Sequence, residues 1–140
     1  MLDNVNINLD LNQLATQIGK PLSYAVQSIK NIFDSVFMEL HYSTEEKRIR
    51  FESNLKDFEK QISINLQQIP KEHLKEPKSS VIGPALEASK YYIEENKMRS
   101  MFAKLIANSS DNRLNSTVRT SFTEFIKQLE PIDALILKEL

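Results

Sequence analysis

At 140 residues, with 41% hydrophobic and 26% charged side chains, the chain has room for one well-buried core and the composition of an ordinary folded domain. Eighteen basic residues against 19 acidic ones give a net charge of -1, so no global field draws it to nucleic acid or to an anionic membrane. The absence of cysteine excludes disulfides, thiol nucleophiles and thiolate metal sites, and the two glycines leave no room for a phosphate-cradling loop or the turns of an all-β protein.

The first ten residues, MLDNVNINLD, lack the basic and apolar regions of a secretory signal and are expected to form a flexible N-terminal segment ahead of a helical domain, 11–140. Asp10 and Gln13 have capping-box spacing, and Leu11, Leu14 and Ile18 share one face of the short helix they would open. Gly19 and Pro21 stop it. From Pro21 to Leu40, apolar residues recur every three or four positions, with Val26 and Phe37 widening the stripe, which predicts the most central helix. No stretch approaches the roughly 20 apolar residues needed to span a bilayer.

Ser43 or Thr44, followed by Glu45 and Glu46, marks the start of a third helix, with acids where the helix dipole favours them. Its seam, Phe51, Leu55, Phe58, Ile62, Leu66 and Ile69, predicts a long antiparallel hairpin with the preceding helix. Lys47, Arg48, Arg50, Lys56 and Lys60 alternate with Glu52, Asp57 and Glu59, as on a solvated face laced with ion pairs. Pro70 ends the helix by driving Ile69 out of the α region.

Between two helical stretches lies IPKEHLKEPKSSVIGPALEA, with Pro70, Pro77 and Pro84 evenly spaced. Ile69, Leu74, Val81 and Ile82 interleave with the prolines and can anchor the segment, so an ordered strap of about a dozen residues is expected against the hairpin. Pro84 is expected to open the next helix, 84–108, on the stripe Ala88, Tyr91, Glu95, Met98, Phe102 and Leu105. Glu95 interrupts that stripe and calls for a partner such as Arg99, Arg119 or backbone amides, an exposed position and a functional acid being the other readings. Of Tyr91 and Tyr92, on neighbouring faces, one should point inward and one lie at an edge suited to an interface. NSSDNRLNS, 108–116, reads as a loop. A further helix carries Phe122, Phe125, Ile126 and Leu129, and a last one runs from Pro131 to the end, where Leu135, Ile136 and Leu140 without a stop signal predict that the natural protein continues.

Catalytic chemistry finds no footing. His41 and His73 are far apart, and each has only a single carboxylate one helical turn on, Glu45 and Glu76 respectively, with no second histidine beside it, so no metal site is expected. His41 reads as a helix C-terminal partner of the dipole and His73 as a loop residue. The adjacent pairs Glu45-Glu46 and Glu94-Glu95 diverge by about 100° on a helix and cannot converge as acid and base. No serine sits in a nucleophile elbow. The expectation is a non-enzymatic protein without cofactor.

The strap Ile69-Pro70-Lys71-Glu72, with Leu74 and Pro77, followed by PALEASKYYIEENKMRSMFAKLIANSS and SFTEFIKQLEPIDALILKEL, resembles the Abi-alpha (abortive infection alpha) family of bacterial phage-defence proteins. The resemblance covers 66–140 well and 19–42 more loosely, and the middle helix and first ten residues carry none of it. The family's pattern falls on Ile69, Pro70, Glu72, Leu74, Pro77, Pro84, Ala85, Leu86, Glu87, Tyr91, Met101, Phe102, Leu105, Ala107, Phe122, Ile126, Leu129 and Pro131. Arg119-Thr120 stands where a His-Pro is expected. The resemblance implies a role in abortive infection, in which an infected cell stops growing or dies before phage progeny are released.

Together these readings predict an all-α, single-domain helical bundle with a long hairpin and a proline-bearing ordered strap, in the cytoplasm, working through a protein partner, with another protein and a second copy of itself both left open. Interaction candidates are the strap and helix residues Ile69, Pro70, Glu72, Pro77, Pro84, Glu87, Tyr91, Tyr92, Glu95, Arg99, Phe102 and Phe122. The alternative is a nucleic-acid-binding regulator: PIDALILKEL, from Pro131, resembles the opening of a winged helix, and Lys47-Arg48-Arg50 and Lys71-Lys75-Lys78 would supply phosphate contacts.

Overall fold

The computed structural model describes residues 9–20, 22–38 and 42–114. The expectations for His41, Arg119-Thr120, Phe122, the helices after residue 114 and the winged-helix-like start at Pro131 lie outside the described residues, as do residues 1–8 and Pro21. Within them are five α-helices: α1 (Leu11–Ile18), α2 (Leu22–Phe37), α3 (Glu45–Gln67), α4 (Ser79–Ser89) and α5 (Asn96–Asn108). Three short 3-10 turns and a single isolated bridge complete the described secondary structure, so the protein is all-α.

Local chemistry sets several of these boundaries as the sequence predicts. The Asp10 carboxylate accepts from the Gln13 amide at 2.8 Å, and the Gln13 side chain accepts from the Asp10 amide at 3.0 Å, closing the capping box of α1. Leu9, the residue before that cap, is already buried in the core. Gly19 ends α1 at φ +82°, a backbone region that residues with a Cβ rarely adopt. Thr44 caps α3, its hydroxyl accepting from the Lys47 amide at 3.1 Å, with Glu45 and Glu46 in the first turn.

The hairpin forms, but its two helices are held apart. Phe33 meets Phe58 at 5.7 Å between ring centroids, and Phe37 meets Phe58 at 6.3 Å and Phe51 at 6.4 Å. These rings, with Lys30 reaching Glu59 at 3.1 Å, give α2 and α3 an antiparallel register. The closest backbone packing lies elsewhere, between α1 and α2 and between α3 and α5. Bulky aromatic contacts widen a helix pair, whereas Ala103 and Ala107 on α5 and Ser63 on α3 let those helices approach.

The helix predicted over 84–108 is two helices. After Ser89 the chain passes through a 3-10 turn, Lys90–Tyr92, and reaches an extended Glu95 before α5 begins. Tyr92 and Ile93 are both buried in this turn, at 3% and 2% exposure. Tyr92 stacks on Phe102 at 5.7 Å, while Tyr91, which the stripe placed inward, is 71% exposed.

Pro84 is likewise not the first residue of its helix but lies inside α4, which starts at Ser79. The proline is exposed and Ile82, Ala85, Leu86, Ala88 and Ser89 are buried, so tertiary burial overrides a locally poor sequence. The strap is correspondingly shorter, 70–78, and it is ordered as expected.

Candidate functional site

The strap is fastened to the C-terminal end of α5. After Ile69, 3% exposed, a 3-10 turn Lys71–His73 brings buried Leu74 into an antiparallel bridge with Asp111. The Lys75 amide donates to the Ser110 carbonyl at 2.7 Å, and His73 Nδ1 lies 3.0 Å from the Asn112 side-chain oxygen. On the other side, the Ser28 hydroxyl of α2 donates to Glu76 at 2.6 Å, and Pro77 is buried. The polar run after Asn108 therefore does more than satisfy its own backbone: it is the anchor of the strap.

Asp111 is the centre of that anchor. Its carboxylate, on a residue only 3% exposed, accepts from Arg113 Nε at 3.0 Å, Nη2 at 2.7 Å and the Arg113 amide at 3.0 Å. The Arg113 bonds hold its carboxyl below the usual range against the opposing effect of burial. Asp111 is thus committed to structure and is not a free acid or base.

A second buried charge sits at the other end of α5. Arg99, 5% exposed, donates from Nε to Asp57 Oδ2 at 2.8 Å and from Nη1 to the Ile93 carbonyl at 2.5 Å and Asn54 at 3.3 Å, with Nη2 on Asn96. One guanidinium therefore fixes α3, the turn before α5 and α5 itself. Of the buried and exposed readings for Glu95 the exposed one holds: Glu95 is exposed at the N-cap, its carboxylate has no partner among the described residues, and its backbone carbonyl accepts from the Arg99 amide at 2.8 Å. The helix break rotates the glutamate out of the seam.

The other candidates separate by environment. Phe102 and Tyr92 are core, as are Ile69 and Pro77. Glu72, Pro84, Glu87 and Tyr91 are exposed, Glu87 pairing with Lys90 at 3.1 Å, and Pro70 is half-buried. The basic cluster on α3 is largely occupied: Arg48 binds Glu45 and Glu52, and Arg50 reaches Glu94 at 3.1 Å. Among the described residues, no three His, Asp or Glu side chains converge as metal ligands, and no helix is long and apolar enough to cross a membrane.

What the sequence did not reveal is a groove of about 350 Å³ between the separated helices α2 and α3. Phe33, Phe37 and Leu55 form its apolar floor. Asp34 and Met38 stand on the α2 bank, and Glu52, Lys56 and Glu59 on the α3 bank. Met38 is 75% exposed at the mouth. Lys30 braces the banks, its ammonium 2.9 Å from Asp34, 3.1 Å from Glu59 and 5.5 Å from the Phe33 ring centroid. Burial alone would lower the Lys30 pKa, but its bonds to Asp34 and Glu59 prevail and raise it. Glu59 also accepts from the Leu11 amide at 3.2 Å, tying α1 to the same brace. The signal in the sequence was the adjacent pair Phe37-Met38, wider than one helical stripe can bury.

Comparison with curated proteins and with solved structures finds no match. The family model described as abortive infection alpha matches residues 50–140. That match takes in most of α3, which the resemblance in the sequence left out, and does not include the looser 19–42 stretch. It contains the strap, its Asp111 anchor and the Arg99 node, the features that shape the described part of the matched region, 50–114. With well over half its length matched, the chain belongs to the abortive infection alpha family.

Proposed function

We propose that the chain is a non-enzymatic helical module of antiphage abortive infection, acting in the bacterial cytoplasm by contact with a protein. Family membership supports the defence role. The observation that carries the mode of action is the α2–α3 groove, an apolar floor flanked by an exposed methionine and by charges of both signs. Methionine is unbranched and adaptable, a side chain suited to packing against another protein surface. The buried charges lend further support, since Arg99 and Asp111 are bound up in holding helices and strap together.

The test is a phage challenge of cells expressing the chain or its Met38→Glu variant, scoring phage yield and host survival. The wild type should lower phage yield at the expense of the host, and Met38→Glu, if folded, should restore yield. A wild type that changes neither quantity removes the defence reading. Met38→Glu protecting as well as wild type removes the groove from it.

A further inference from the structure

We propose that the occupant of the α2–α3 groove is the same groove on a second copy of this chain, an inference that rests on the protein-contact reading above and names its partner. The rim charges carry the argument. Lys30 and Lys56 stand against Asp34 and Glu59, and the remaining rim acid, Glu52, is held by Arg48, so the rim is close to neutral and offers no field to a polyanion or to a strongly basic helix. A surface with both signs on opposite banks is instead complementary to itself.

The register makes this specific. Lys30 faces Glu59, Phe33 faces Phe58 and Phe37 faces Phe51, which puts Asp34 on one bank level with Lys56 on the other. A two-fold axis running along the groove exchanges the banks, so Asp34 of each copy meets Lys56 of its mate. Lys56 is exposed and makes no ion pair among the described residues, and Asp34 is 56% exposed beyond its contact with Lys30. Met38 of each copy then meets the mate's α3 bank level with Glu52, at the edge of the apolar floor. The groove follows α2 only from Lys30 to Met38, about 12 Å, which sets a patch on the order of 300 Å² per copy, well below a standard stable interface. The association is therefore reversible and rises with concentration.

Sedimentation velocity of the full chain over a concentration series tests it, with circular dichroism and thermal melting checking each variant's fold. Wild type should shift from monomer toward dimer. Met38→Glu, Asp34→Lys and Lys56→Glu should each remain monomeric, and an equimolar mixture of Asp34→Lys with Lys56→Glu should recover the dimer because the reversed charges face each other across the axis. A wild type that stays monomeric at every concentration, or a mixture of folded variants that stays monomeric, overturns the proposal. Should Asp34→Lys fail to fold, Lys56→Glu against Lys56→Gln decides: equal dimerisation of Lys56→Glu and wild type is the contrary result. A monomeric wild type whose phage protection still depends on Met38 overturns only the self-contact. A dimer whose disruption leaves phage yield unchanged upholds the self-contact and removes the defence role assigned to it.

Discussion

Replacing Arg99 by alanine should destabilise the fold by about 2–3 kcal/mol. The ceiling for removing one member of a fully buried ion pair is about 3–5 kcal/mol. That ceiling is not reached here, because the Asp57 side chain is 45% exposed and can rehydrate once its partner is gone. What is lost without compensation is the bond to the Ile93 carbonyl, whose residue is 2% exposed, together with the packing of the arginine stem. For a chain of this size the loss corresponds to a melting temperature lower by roughly 8–12 °C. Urea unfolding followed by circular dichroism measures it, and Arg99→Lys should retain part of the stability, since one ammonium cannot serve acceptors on three elements. An Arg99→Ala variant within about 0.5 kcal/mol of wild type would refute the view that this guanidinium joins α3, the turn and α5.

Phe58→Ala, which empties the site between Phe33 and Phe37, should cost about 3–5 kcal/mol in the same assay, and clearly more than Leu55→Ala at the half-buried groove floor. Gly83→Ala should not give the usual gain of about 0.5–1 kcal/mol for a helical glycine, because an added Cβ, though clear of every atom beyond its chain neighbours, must meet the ring of Pro84 in the α conformation; a stabilisation of about 1 kcal/mol counts against that clash. For Asp111 the folded carboxyl lies below its ordinary 3.8, so its contribution is present above that value and is lost as pH falls toward the depressed one. The stability gap between wild type and Asp111→Asn should therefore be wide at neutral pH and narrow in acid; a gap independent of pH would show that the Arg113 bonds contribute nothing through ionisation.

The elements legible in the sequence were those fixed by contacts a few residues long. Asp10 with Gln13, Thr44 with the two acids behind it, and Pro70 after Ile69 each mark a boundary through their own local chemistry, and each boundary stands. The break between α4 and α5 was hidden because its cause is not local. The stripe from Ala88 through Tyr91 to Leu105 has faultless helical spacing, and the turn that interrupts it is held by Arg99 on the Ile93 carbonyl and on Asp57 of α3 and by Tyr92 stacked on Phe102. Periodicity counts residues that suit one face and is silent about such contacts. The same blindness placed Glu95 in the core and left Arg99 as merely one of its possible partners. For the site, the strap could be read as ordered, but not its mooring to Asp111, which lies far along the chain. The groove was beyond reach for a related reason: its existence depends on how far apart the Phe33, Phe37 and Phe58 rings hold two helices.

The α4 helix shows how these pieces depend on one another. Gly83 and Pro84 put the two least helix-favouring residue types side by side in its interior, and Lys78 caps its start without a side-chain bond. Local propensity therefore cannot maintain it, and its order comes from burying Ile82, Leu86 and Ala88 against α2 and α5. The chain is tied down on both sides of α4 by α5: the strap by Ser110 and Asp111 at the C-terminal end, the following turn by Arg99 on Ile93 at the N-terminal end. Strap, α4 and turn are thus one segment clasped at two points by a single helix, with a weak helix in between. The exposed residues Glu72, Pro84, Glu87 and Tyr91, spread over all three parts, are therefore positioned by these two clasps together with the packing of strap and α4 on α2.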